Sequence, residues 1–146
     1  MAAKGSTFDN DLLKLIFNAT PIANIADNAS SSPLTNLYVS LHTSDPTVGG
    51  SQNSNEIAYT TYARQPVLRQ SGAGGFTVTS ASVSPQATIN FPIMTAGAGG
   101  TASFFAIGTL VSGAGKILYT GAISPTIAVT NGVTPQLTTA STVTES

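Results

Sequence analysis

The 146-residue chain contains no cysteine, no tryptophan and a single histidine, His42. The lack of cysteine excludes disulfides and thiolate metal sites and leaves the redox compartment open. One histidine and dispersed carboxylates supply neither a zinc nor an EF-hand ligand set, so no metal and no cofactor are expected. Charge is equally scarce. Charged residues make up 8% of the chain, about a third of the usual share of roughly 25%. Lys4, Lys14, Arg64, Arg69 and Lys116 are scattered rather than clustered. With a net charge of -1, they form no footprint for a phosphate backbone, and nucleic acid is not an expected partner. No apolar segment approaches the ~20 residues of a membrane span, and the N-terminus does not read as a secretory signal, so no membrane partner is expected either.

What is present is apolar residue and small polar residue. Hydrophobic residues make up 41% of the chain, and runs such as "ASFFAIGTLV" argue against disorder. The solvent face is therefore left to Ser, Thr, Asn, Gln and Gly. The chain divides into a helical start with a connecting arm, residues 1–36, and a β-rich body, residues 37–146.

In "STFDNDLLKLIFNATP" the residues Phe8, Leu12, Leu15, Ile16 and Ala19 recur at helical spacing, with Leu13 and Phe17 widening the stripe. Ser6 or Thr7 caps the start, and Asp9 and Asp11 suit the positive end of the helix dipole. Pro21 disfavours helix at Thr20, so the helix should end near residue 19. Residues 22–36 are small and polar, with Ile22 and Ile25 as apolar anchors. Phe8, Leu12, Leu15 and Ile16 form a candidate interface. They pack either on the chain's own body or on a neighbour, as an attachment or dimerisation arm would.

From residue 37 the period changes to two: Leu37, Val39 and Leu41 face one way, Tyr38, Ser40 and His42 the other. This predicts a half-buried strand with His42 at the surface. Further strands are expected near 57–64, 76–83, 87–93, 104–111, 116–123, 126–130 and 135–143, broken by "SGAGG", "GAGG", "SGAG" and "TNG" turns. The fold class is all-β, an antiparallel sandwich of the jelly-roll kind, with one short N-terminal amphipathic helix.

The stretch "LYVSLHTSDPTVGGSQNSNEIAYTTYARQP", residues 37–66, holds the only histidine, two carboxylates, serines and glycines, and so raises the question of an active site. His42 and Asp45 with Ser40 or Ser44 could form a triad, but no nucleophile-elbow motif surrounds any serine. Asp45 before Pro46 is explained as a turn residue. Asp45 and Glu56 could be a glycosidase pair, yet the chain has six acidic residues and few aromatics to line a sugar cleft. "SGAGK", residues 112–116, is not a phosphate loop: Leu110 stands where the first glycine is required and Ile117 where the magnesium-binding Ser or Thr would be. No catalytic residue is assigned, and no enzymatic activity is expected.

"LHTSDPTVGG…NEIAYTTYARQPV", "FTVTSASVSPQATINFP", "FFAIGTLVSGAGKILYTGAISPTIAVTNGVTPQLT" and the "STVTES" end together resemble a family of small tailed-phage virion proteins, from about residue 9 onward. Members are commonly called tail-fibre-like proteins, and some short-tailed phages use similar chains as jelly-roll cement proteins that sit as dimers on the outer capsid surface. The resemblance implies no catalytic residues. It implies a structural virion protein, and the expectation is a capsid cement or decoration protein. Such a protein would sit on the outside of the phage head as a homodimer and clamp neighbouring major capsid subunits. Two alternatives stand beside it: a tail-fibre or minor tail component, and a carbohydrate-binding module for host-surface glycans that uses exposed Tyr38, Tyr59 and Tyr62.

Overall fold

A computed structural model describes residues 6–22, 33–48 and 50–145, and of residues 6–8 and 48 the backbone alone. The helix predicted at the start is α1, Ser6–Asn18. It ends where the sequence expects: Ala19 takes a left-handed conformation, φ 53°, and the Thr20 amide closes back on the Lys14 carbonyl at 3.1 Å, the wrapping contact that terminates helices. Arg69 completes the end from the body of the protein. Its guanidinium donates to the carbonyls of Leu15 and Ile16 at 2.6 and 2.5 Å, placing a cation at the negative end of the dipole.

The body is an all-β sandwich. Strands β1 (Asn36–His42), β2 (Gln65–Leu68), β3 (Phe76–Thr79), β4 (Ser82–Pro85), β5 (Ile89–Asn90), β6 (Gly100–Gly108), β7 (Ile117–Val129), β8 (Gln136–Leu137) and β9 (Val143–Thr144) form three antiparallel sheets. The largest runs in the order β2-β1-β6-β7, a second runs β3-β4-β9, and a third pairs β5 with β8. One core joins them all: Leu37, Val39 and Leu41 from β1, Phe76 from β3, Val83 from β4, Phe105 and Ile107 from β6, and Leu137 and Val143 from β8 and β9.

Helix α1 enters the same core. Leu13 and Phe17 are fully buried, Phe17 meeting the Phe76 ring edge-on at 4.8 Å. Asn10 and Asn18 tie the helix to the carbonyls of Ser80 and Phe76. The residues that widen the apolar stripe thus carry the internal contact. Of the candidate interface residues, Ile16 packs against the core, Leu12 and Leu15 are half-buried, and the Phe8 side chain lies outside the described residues. Ile25 and most of the connecting arm, residues 23–32, also lie outside them.

Several strands differ from expectation. The segment 57–64 makes only isolated pairings, Ala58 with Gly99 and, just before it, Glu56 with His42, and the strand falls at 65–68 instead. The expected strand 76–83 is a hairpin, β3 and β4, turning at Ser80 with φ 52°. The two strands expected on either side of Ser124–Pro125 are one: β7 pairs with β6 on both sides of a bulge opposite Ser103, between the pairs Phe104–Ala122 and Ala102–Ile127.

Candidate functional site

The stretch 37–66 is where the sequence concentrates chemistry, and the fold turns it inward. Its second half, residues 43–64, doubles back over β1. Ser40 and His42 therefore have no exposed surface, although the alternation of β1 predicts a surface histidine. That expectation is corrected: both faces of β1 are covered toward its C-terminal end, one by the core and one by the returning segment.

The hydrogen bonds set the state of the imidazole. The Ser54 carbonyl can only accept, so His42 Nδ1 carries the proton and donates to it at 2.9 Å. Nε2 is then the acceptor, and the Ser40 hydroxyl donates to it at 2.8 Å. Burial holds the His42 pKa below the usual 6.5, against the raising effect of the Ser54 carbonyl and of Glu56. The Ser–His pair considered from the sequence thus exists, with a backbone carbonyl as its third member. Asp45 is not part of it. Its carboxylate accepts from the amide and hydroxyl of Thr47 at 3.0 and 2.7 Å, and these two bonds lower its pKa. This is the local turn role expected of an Asp before proline. The enclosed Ser40 hydroxyl faces no cleft.

Glu56 is likewise committed elsewhere. Arg64, 4% exposed, holds its carboxylate at two points, and the Tyr62 hydroxyl donates to the same carboxylate at 2.9 Å. The Tyr62 hydroxyl in turn accepts from the Leu41 amide at 3.0 Å, so this group satisfies a strand donor that β2 is too short to reach. Burial first, and then the negative Glu56, push the Tyr62 pKa up, while the bonded Glu56 raises that of Arg64. The Asp45 and Glu56 pairing considered from the sequence is not formed.

Arg64 has a second task. It donates to the carbonyls of Leu110 and Gly113 at 3.0 and 2.8 Å, in the loop between β6 and β7. Gln52, fully buried, takes the amide of Leu110 at 3.0 Å and lies where a Cβ on Gly108 or Gly115 would collide with it. The "SGAGK" loop is thus a hairpin tip with Gly113 at φ 80°, the Gly113 carbonyl turned to an internal arginine and the Gly115 carbonyl to the Gln52 amide. The sequence reading passes over Gln52 and treats Arg64 only as a scattered cation. The signal available was that a cation in so charge-poor a chain is worth placing.

The aromatic residues do not form a sugar platform. Tyr59 is 8% exposed and its hydroxyl donates to the Pro92 carbonyl at 2.7 Å. Tyr62 lies between Tyr59, edge-on at 5.3 Å, and Phe91, stacked at 6.2 Å. The expectation that Tyr38, Tyr59 and Tyr62 are exposed together is corrected: Tyr59 is buried, and Tyr38 and Tyr62 are half-buried. Among the described residues no group of three or more His, Cys, Asp or Glu side chains could hold a metal ion, and no helix is long and apolar enough to cross a membrane.

An all-β sandwich whose buried polar side chains brace its own backbone has the build of a structural protein. The chain belongs to the family described as podophage GP4 fiber I protein gp80, whose model matches residues 7–145; it is accordingly a structural phage protein of the virion. No curated protein matches it.

Proposed function

We propose that the chain is a capsid cement protein that binds the outside of the phage head and joins neighbouring major capsid subunits, without catalysing a reaction. The observation that carries this reading is where the charge goes. In a chain with 8% charged residues, Arg64 and Glu56 are spent on each other and Arg69 on helix carbonyls, which leaves an outer surface suited to burial against protein. A protein that binds assembled subunits and not free ones stabilises the shell by mass action, without needing to change its own shape. Leu12 and Leu15, half-buried on α1, are available to a second copy or a capsid subunit, and a two-fold pair of such helices would give the self-complementary contact of a homodimer.

A second reading, a tail-fibre or minor tail component, is favoured by the family's description as a fiber protein. Copy number separates the two. Hundreds of copies per particle, with density over the head, support the cement reading; a few dozen copies or fewer, with density on the tail, overturn it.

A further inference from the structure

Successive residues of a strand turn their amide and carbonyl to alternate sides, so the hydrogen bonding of the four-stranded sheet can be followed from row to row. In β2 the Leu68 amide donates away from β1, to the Gly74 carbonyl at 3.0 Å. In β1 the Leu41 amide donates to Tyr62 and the Leu41 carbonyl accepts from the Ile57 amide, on the β2 side. Ser40 and His42 therefore turn their backbone groups toward β6, where Ala106 and Phe104 stand opposite. Phe105 and Ile107 of β6 then face β7, opposite Gly121 and Tyr119. The amides and carbonyls of Leu118, Thr120 and Ala122 thus point away from β6, at the outer edge of the sheet. Among the described residues they have no hydrogen-bond partner.

The opposite edge of the same sheet is protected. Strand β2 has 4 residues, and Pro66, which by alternation turns outward with Leu68, has no amide hydrogen to offer. The far half of β7 is broken by its bulge and by Pro125. Lysine, proline, a bulge or a cover are the usual guards of a sheet edge. Residues 117–122, "ILYTGA", carry neither charge nor proline. A cleft of about 430 Å³ separates residues 117–120 from Thr47 and Gly50, so the segment that returns over β1 leaves this end of β7 open to solvent.

Such an edge takes another strand, and its free residues fit their own copy. Leu118 and Ala122 stand evenly on either side of Thr120. An antiparallel copy related by a two-fold axis at Thr120 sets Thr120 against the partner's Thr120 and Leu118 against the partner's Ala122, and every outward amide and carbonyl of these residues is matched. Tyr119 then stands opposite the partner's Gly121, which has no side chain to crowd the ring, and Thr facing Thr is a favourable cross-strand pair. Lys116, which adjoins the strand, falls opposite the partner's Ser124, in the bulge and outside the ladder. No like charges meet.

We propose that the chain forms a homodimer by pairing residues 117–122 of β7 with the same residues of a second copy, giving one continuous antiparallel sheet across a two-fold axis at Thr120. This deepens the homodimer of the proposed function, placing its contact on β7 in place of α1, and rests on no other part of that reading.

The test uses the purified full chain, with self-association measured by sedimentation equilibrium. The wild type should be dimeric at concentrations on the order of 10 μM. Thr120→Lys and Thr120→Glu each set like charges face to face at the axis. Each should raise the dimer Kd by about tenfold or more while keeping the wild-type circular dichroism spectrum and a cooperative melt. Mixed together, the two should recover a Lys–Glu heterodimer, which requires a register that brings residue 120 against itself. If a charged variant does not fold, Thr120→Pro, which removes an outward amide hydrogen and no bond to β6, replaces it with the same loss expected. Leu12→Gln/Leu15→Gln should dimerise as the wild type does. A monomeric wild type, or folded residue-120 variants that dimerise normally, overturns the inference, and failure of the mixture to recover overturns the pairing about Thr120. Electron cryomicroscopy of the phage reads the location separately: a β7 dimer on the tail overturns the cement reading and leaves this inference standing, and a monomer on the head does the reverse.

Discussion

The Arg64 guanidinium and the Glu56 carboxylate meet at two points, Nε to Oε1 at 2.8 Å and Nη2 to Oε2 at 2.7 Å, with the arginine side chain 2% and the glutamate side chain 15% exposed. The pair joins three parts of the chain: Glu56 bridges to His42 of β1, Arg64 leads into β2, and the free edge of the guanidinium holds the β6–β7 hairpin. Removing Arg64 leaves a shielded carboxylate and two loop carbonyls without their donor. Arg64→Ala should therefore cost about 3 kcal/mol, the lower end of the range for breaking a buried pair, because Glu56 keeps some contact with water. Urea unfolding measures it. The amide of Leu110 should also exchange faster in that variant. A cost below about 1 kcal/mol, the value of a surface pair, would show that the contact is solvated.

The second prediction concerns acid. His42 is buried and neutral, with both ring nitrogens engaged, and its folded pKa lies below 6.5. The unfolded chain therefore binds the proton first as pH falls. Stability should be constant from this group above pH 6.5, decline as pH drops from 6.5 toward the lowered folded value, and level off below it, by up to about 1.4 kcal/mol per pH unit inside that window. Of the groups facing the ring, Ser40 and the Ser54 carbonyl do not titrate there, and Glu56 and Asp45 favour the charged form while Arg64 opposes it. Urea midpoints between pH 8 and 5 should show the decline, and a variant such as His42→Gln should flatten it. An unchanged slope in that variant would assign the effect to other groups.

These residues also mark how far the sequence could be read. The helix and its end were legible because cap, stripe and proline act within a few residues of one another, and the strand alternation at 37–42 and the glycine turns are equally local. The inward placement of His42 was not legible, because β1 becomes two-sided only when residues 43–64 fold back over it. Nor was the role of Arg64 or Gln52, whose partners in the hairpin lie 46 to 58 residues away along the chain. The bulge at Ser124–Pro125 misled for a related reason. A local break signal is real there, but the pairing with β6 resumes beyond it and makes one strand of two segments.

The third prediction weighs the helix. Phe17 is fully enclosed and touches both Phe76, at 4.8 Å, and Tyr119, at 5.5 Å. Phe17→Ala should cost about 3 to 5 kcal/mol, as large-to-small changes in a core do. The half-buried Leu15 should cost under about 1 kcal/mol when changed to Gln, because a surface change leaves no cavity. Thermal melts of the two variants compare them directly. Equal, small effects would mean that the helix is an appendage to the sandwich rather than part of its core.

The last prediction concerns how the protein is retained in the particle, and follows from the scarcity of charge in the chain. The chain has five basic and six acidic residues, and Arg64, Glu56 and Arg69 among them are committed within the fold. Attraction between exposed charges is screened beyond about 8 Å at physiological ionic strength, so a contact built on it would loosen steadily as salt rises. A contact built on apolar burial would not. Apolar burial is strengthened by excluded salts and weakened by denaturant. Particles washed in 1 M sodium sulfate should therefore keep their full complement of this protein, while low urea or gentle warming should release it before the shell opens. Copies per particle, counted after each wash, decide the matter. Full release by salt from an intact shell would mean that charge, and not apolar burial, holds the protein in place.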